Sequence, residues 1–88
     1  MGNVMMKIRI MPSDVDVNLE EVLEKVRNIQ IQGLELRDHA VQPIAFGLKA
    51  LILLTVMPDA EGVGDRYIEE ISKIEGVESV EVEDMELL

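Results

Sequence analysis

The sequence predicts an α+β fold: one four-stranded antiparallel sheet with two helices packed on one face. Three observations predict it. Apolar residues alternate with period two over four short segments. Two other segments repeat apolar residues at helical spacing. The order along the chain is β-α-β-β-α-β, a strand-helix-strand unit written twice. This is the ferredoxin-like split βαβ sandwich, in which each helix buries its apolar stripe against the same sheet face. With 88 residues, the chain has material for one core, and residues 1–88 are expected to form a single domain.

The first strand is expected over Val4 to Met11, where Val4, Met6, Ile8 and Ile10 share a face opposite Met5, Lys7, Arg9 and Met11. Pro12-Ser13-Asp14 ends it as a turn. Asn18 is a good N-cap, with Glu21 three residues on as in a capping box. Leu19, Val22, Leu23 and Val26 then form one apolar stripe. Glu21 and Lys25 make an i,i+4 pair in the favourable order. A second strand, weaker in β propensity, is expected from Leu34 to Val41, broken by Gln42-Pro43.

Leu48 to Met57 is the strongest strand. Leu48, Ala50, Ile52, Leu54 and Val56 form one face, and Leu51 and Leu53 make the other partly apolar, as in a central strand. The second helix is expected over Asp65 to Ile74, on Ile68, Ile71 and Ile74 with Tyr67 adjoining, and Gly76 as its terminating glycine. The last strand runs from Val77 to Met85. The expected core holds Val4, Ile8, Val22, Val26, Leu48, Ile52, Ile68, Ile71 and Val80, with Ile52 and Ile71 on the same side of the sheet. The other face then carries Lys7, Arg9, Lys49, Glu81 and Glu83 with Leu51 and Leu53. It reads as a solvated surface with cross-strand ion pairs, or alternatively as a docking surface.

Composition narrows the function. There is no Cys, which excludes a disulfide framework, a thiolate metal site and a Cys nucleophile, and fits a cytoplasmic chain. No signal peptide or membrane-spanning run is evident. The net charge of −10 repels phosphate backbones and anionic lipid, so direct binding of nucleic acid or membrane is not expected. Such charge suits a basic protein partner or a cation, or serves solubility alone.

Catalytic chemistry has little to stand on. His39 is the sole histidine and lies in a polar stretch without partners for acid-base work. Gly62-Val63-Gly64 lacks the Lys-Ser/Thr ending of a phosphate loop. Every charged residue from Glu75 to Glu86 is an acid. Glu81 and Glu83 share a strand face while Glu75 and Glu78 do not converge with them, so a charge-guarded strand is preferred to a metal site. No cofactor and no metal ligand set is implied.

One stretch stands apart. Pro43-Ile44-Ala45-Phe46-Gly47-Leu48-Lys49 places the single Phe of the chain beside a Gly, just after a Pro. Phe46 either projects from a turn as an aromatic anchor, or starts the strand on the face of Leu48 and plugs the core.

This stretch resembles the Pro-Ile/Val-Gly-Phe/Tyr-Gly-Ile-Lys motif of the elongation factor 1-beta family. Ile29-Gln30-Ile31-Gln32-Gly33-Leu34 is similar to the Ile-Gln-x-x-Gly-Leu segment of that family, at similar spacing. Glu61-Gly62-Val63-Gly64 stands where the family has a short polar loop ending in Val-Gly/Ser. The resemblance covers nearly the whole chain and is greatest to the short archaeal members.

The resemblance implies a guanine-nucleotide exchange factor for the GTPase elongation factor 1-alpha in its GDP-bound and nucleotide-free forms, not an enzyme. It implies GTPase contacts by Phe46, Gly47, Leu48, Lys49, Glu86, Leu87 and Leu88, with Phe46 entering a pocket of the GTPase. One departure is plain: eukaryotic members end in Lys-Leu or Lys-Ile and use that Lys to disturb the Mg²⁺ site, whereas Leu87 stands in its place here. Exchange is therefore expected to rest mainly on Phe46 and its turn. A small-molecule-sensing domain and a plain assembly module share this topology and remain the alternatives.

Overall fold

The computed structural model describes residues 2–88. Its elements are β1 (Asn3–Pro12), α1 (Leu19–Arg27), β2 (Glu35–Ala45), β3 (Leu48–Pro58), α2 (Val63–Ser72) and β4 (Val77–Leu87). They form one antiparallel sheet in the order β2-β3-β1-β4, as expected for the ferredoxin-like α+β sandwich.

The core lies between the sheet and the two helices. From β1 it takes Val4, Met6, Ile8 and Ile10, from α1 Val22, Leu23 and Val26, and from α2 Tyr67 and Ile71. Helix α1 begins where Asn18 caps it, its Oδ1 accepting from Glu20 N at 2.9 Å and Glu21 N at 3.4 Å. Acids in its first turn and bases in its last suit the helix dipole. The ion pair that forms on this helix is Glu24–Arg27, not Glu21–Lys25.

The facing of β3 differs from expectation. Ile8 pairs with Leu53 and Ile10 with Leu51, whereas Arg9 lies opposite Ile52 and Lys7 opposite Leu54. Directly opposed residues share a sheet face. Leu51 and Leu53 therefore face the helices and are fully buried. Leu48 and Ile52 lie half-buried on the open face, across the sheet from Ile71. The order and pairing of the strands are unchanged. Only the phase of one strand is inverted, because both of its faces are apolar and alternation alone does not rank them. Lys49 moves with this phase, away from Lys7 and Arg9 and onto the helix side. Ile68 and Val80 pack against the core only half-buried.

Three boundaries also shift. Strand β2 runs through Pro43, which pairs with Lys49 beside an irregularity in register. β2 is an edge strand, where a residue without an N–H is tolerated. Helix α2 starts at Val63, two residues before Asp65, and ends at Ser72 with Lys73 as its cap. Gly76, at φ +94°, turns the chain into β4 rather than closing the helix. Gly33 in the Ile-Gln-x-x-Gly-Leu segment has φ +82°, and a Cβ there would lie 2.6 Å from Pro58 Cγ, so this glycine lets the loop before β2 close on the end of β3.

On the open face, Arg9 Nη2 contacts Glu81 Oε2 at 2.8 Å and Arg9 Nη1 lies 3.6 Å from Glu83 Oε2. Lys7 Nζ lies 4.0 Å from Glu83 Oε1. These are the expected cross-strand pairs, each contributing about 0–1 kcal/mol at this exposure.

The inverted phase of β3 has a measurable consequence. In chemical denaturation, Leu53→Ala should cost about 3 kcal/mol as a core truncation, and Ile52→Ala about 1 kcal/mol, in keeping with its half exposure. Equal losses, or a larger loss at Ile52, would contradict the facing described.

Candidate functional site

Strand β2 ends at Ala45 and β3 begins at Leu48, so two residues, Phe46 and Gly47, make the whole turn. Their φ angles are +53° and +81°. Two positive φ values identify a type I′ turn, whose twist matches that of the flanking strands. Glycine adopts this geometry freely. A phenylalanine does so at a cost of about 1 kcal/mol, because its Cβ crowds the carbonyl oxygen. Phe46 is the one non-glycine residue with positive φ among the described residues.

The ring gains nothing locally in return. Phe46 is 98% exposed, so it neither shares the face of Leu48 nor plugs the core. A wholly solvated phenyl at the tip of a two-residue turn has about 1.5–3 kcal/mol of transfer free energy to release on burial. The short turn leaves the tip little backbone freedom, so the direction of the ring follows the hairpin.

The other residues expected at the site divide between two places. Gly47, Leu48 and Lys49 stay with Phe46, but Leu48 lies on the open face of the sheet and Lys49 on the helix side. Glu86, Leu87 and Leu88 lie elsewhere. Glu86 pairs with Met5 and Leu87 with Val4, and Leu88 N donates to Asn3 O at 2.9 Å. Asn3 in turn lies opposite Pro58, at the far end of β3 from the turn. At about 3.3 Å per residue, that end is about 30 Å from the hairpin tip. The domain measures 42 × 20 × 17 Å, so the two groups occupy opposite ends of its long axis.

Exposed large apolar residues follow the same division. Val15, Val41, Ile44 and Phe46 belong to the hairpin end, and Met85, Leu87 and Leu88 to the other, with Val82 between. Val15 and Val41 were not apparent as surface features in the sequence. The signal was the alternation Asp14-Val15-Asp16-Val17, which puts apolar side chains into a loop beside carboxylates.

The remaining polar groups suggest no chemistry. His39 is exposed, with Nε2 3.1 Å from Arg27 Nη2, a geometry in which the guanidinium donates and the ring accepts. Thr55 Oγ1 donates to the Tyr67 hydroxyl at 3.3 Å in the core. Burial pushes the Tyr67 phenol above its ordinary value, and the Thr55 hydrogen bond acts weakly the other way. Among the described residues no three His, Asp or Glu converge as metal ligands. Among the described residues no helix is long and apolar enough to cross a membrane.

Comparison of the sequence with known proteins identifies a family. Residues 5–88 match the model of the EF-1 guanine nucleotide exchange domain. The chain is 77% identical over 88 residues to elongation factor 1-beta of Archaeoglobus fulgidus, covering all of both chains. It is 44% identical to elongation factor 1-beta of Methanosarcina barkeri over 97% of each chain. With the protein of that name from Methanothermobacter thermautotrophicus it shares 41% identity over 100% of this chain and 99% of the relative. These matches, over nearly the whole of a βαββαβ sandwich, show that the chain belongs to the archaeal elongation factor 1-beta family of guanine-nucleotide exchange factors of translation elongation.

Proposed function

We propose that the chain speeds release of GDP from the GTPase elongation factor 1-alpha in the cytoplasm by seating Phe46 in an apolar pocket of that protein. No covalent bond is made or broken. The observation that carries this reading is the placement of the only Phe at the tip of a type I′ turn, almost wholly in solvent and against its own backbone preference.

The mechanism is thermodynamic linkage. A partner that binds the nucleotide-free GTPase more tightly than the GDP-bound form weakens GDP binding by the same factor. Each tenfold of that factor needs about 1.4 kcal/mol of differential contact. Burying the Phe46 ring in a pocket shaped only in the nucleotide-free form supplies about one to two such factors. Leu48 and Lys49 flank the turn on opposite sides of the hairpin and extend the contact. The segment Glu86 to Leu88 offers apolar side chains about 30 Å away. It acts as a secondary contact on a different part of the same partner, and it carries no cation to disturb a Mg²⁺ site.

The test is fluorescent-GDP release from elongation factor 1-alpha. Phe46→Asn installs the Asn-Gly pair that type I′ turns favour. It should leave the melting temperature unchanged or raise it by about 2–5 °C, while exchange falls at least tenfold. A stability loss of about 3 kcal/mol would mark Phe46 as a packing residue, and full exchange would remove it from the interface.

Deleting residues 86–88 should slow GDP release less than the Phe46 variant does, over a range of Mg²⁺ concentrations. If the truncated chain is inactive while the Phe46 variant still works, the far end of the sheet carries the mechanism.

A further inference from the structure

The end of the hairpin that carries Phe46 overhangs the sheet. The ladder between β1 and β3 stops at Ile10 opposite Leu51. The ladder between β2 and β3 continues past it, through Gln42 opposite Ala50, Pro43 opposite Lys49 and Ala45 opposite Leu48. This end of the hairpin is therefore a two-stranded ribbon, an arrangement only marginally stable alone and prone to twist. Pro43 brings no N–H to the ribbon, and its register is irregular between Pro43 and Ala45. The short turn fixes the local backbone of Phe46, but not the angle at which the ribbon leaves the sheet.

The β1–α1 loop meets this ribbon at its tip. A Cβ on Gly47 would lie 3.7 Å from Val15 Cγ1, so a Val15 methyl stands beside the backbone of the turn. Further back, a groove of about 310 Å³ bordered by Leu19, Val41 and Lys49 lies between the loop and the hairpin. The support at Val15 is thus a point of contact beside open space, and the valine stays 53% exposed. The loop itself is tied down. Asp14 Oδ1 accepts from Val15 N at 2.6 Å, and Asp14 O accepts from Val17 N at 3.3 Å. Ser13 N donates to Gly76 O at 2.9 Å. Gly76 approaches Val17 so closely that a Cβ there would lie 2.9 Å from Val17 Cγ1. Val15 is therefore presented to the turn from a loop anchored at both of its flanks.

We propose that the β1–α1 loop is a strut that sets the angle of the overhanging hairpin, with Val15 as a positioning residue for Phe46. The proposal rests on the reading of Phe46 as the GTPase anchor. The ring sits at the end of the overhang, so a change of angle where the ribbon leaves the sheet displaces the ring more than any other group. Without the Val15 methyls the ribbon can swing toward the groove. The ring then samples several directions, and only a fraction of the molecules present it as the partner requires. Val15 acts on exchange through Phe46 rather than by touching the partner.

The test is a double-mutant cycle between Val15 and Phe46, read as affinity for nucleotide-free elongation factor 1-alpha. NMR relaxation of the free domain is the second readout, and thermal melting is the control for folding. Val15→Ala should weaken binding about 5-fold while the melting temperature moves by less than about 3 °C, in keeping with an exposed loop position. In the Phe46→Ala background the same substitution should cost less than about 2-fold. In free Val15→Ala, backbone order parameters over residues 42–50 should fall from about 0.85 toward about 0.6. Val15→Ile keeps the contact and should match wild type in both readouts. Unchanged order parameters in Val15→Ala overturn the strut. An equal loss of affinity in both backgrounds makes Val15 a direct contact with the partner and overturns its positioning role. If Phe46→Ala keeps wild-type affinity, the anchor reading fails and Val15 loses its part in binding, whereas the strut itself stands or falls with the order parameters.

Discussion

The alternation along β1 is the constraint on which the rest of the structure depends. β1 is paired on both sides, with β3 and with β4. Ile8 and Ile10 face the helices while Lys7 and Arg9 face outward. That choice dictates the phase of both neighbours through the opposed pairs. It settles β3, which is apolar on both faces, in favour of Leu51 and Leu53. It also places Glu81 and Glu83 where Arg9 meets them. A one-residue slip of β1 would put two cations into the core.

The same pairing separates the ends of the molecule. β3 starts at the aromatic turn and finishes beside Asn3, where β4 also finishes. Residues near the two ends of the motif-bearing part of the chain are therefore as far apart as the sheet allows. Both edges are protected against pairing with other strands. β4 is rich in acids, and β2 carries a proline and two irregularities of register. Pairing of another strand along either backbone edge is thus disfavoured.

Much of this was legible in the sequence, and the exceptions have identifiable causes. The element order followed from the two periodicities, and Asn18 announced the start of α1. The phase of β3 was hidden because its pattern is degenerate and only its pairing partner resolves it. The extent of β2 was hidden because Pro43 signals a break in a central strand but not at an edge. Phe46 illustrates a different limit. From its residue type, burial was the natural expectation, and the familiar Asn-Gly mark of a type I′ turn is absent. The neighbouring Pro43 and Gly47 left projection from a turn and burial both open, the family resemblance favoured projection, and the two-residue turn places Phe46 at its tip. The distance between Phe46 and Leu87 was invisible because it depends on which strands pair. Val15 lay in a loop, where the short Asp14-Val15-Asp16-Val17 alternation belongs to no strand and so did not indicate which face its apolar side chains take.

The two-residue turn has a consequence for association. Binding through a floppy loop requires that the loop be ordered first, at about 1–2 kcal/mol for each backbone residue fixed. In this hairpin the turn is only two residues long and is closed by the Ala45–Leu48 pair, so its backbone course is set when the chain folds. What remains to be immobilised is the ring itself, about 0.5–1.5 kcal/mol for one side chain. The penalty of the positive φ at Phe46 falls on folding, and under the proposed function recognition begins from a group already in solvent.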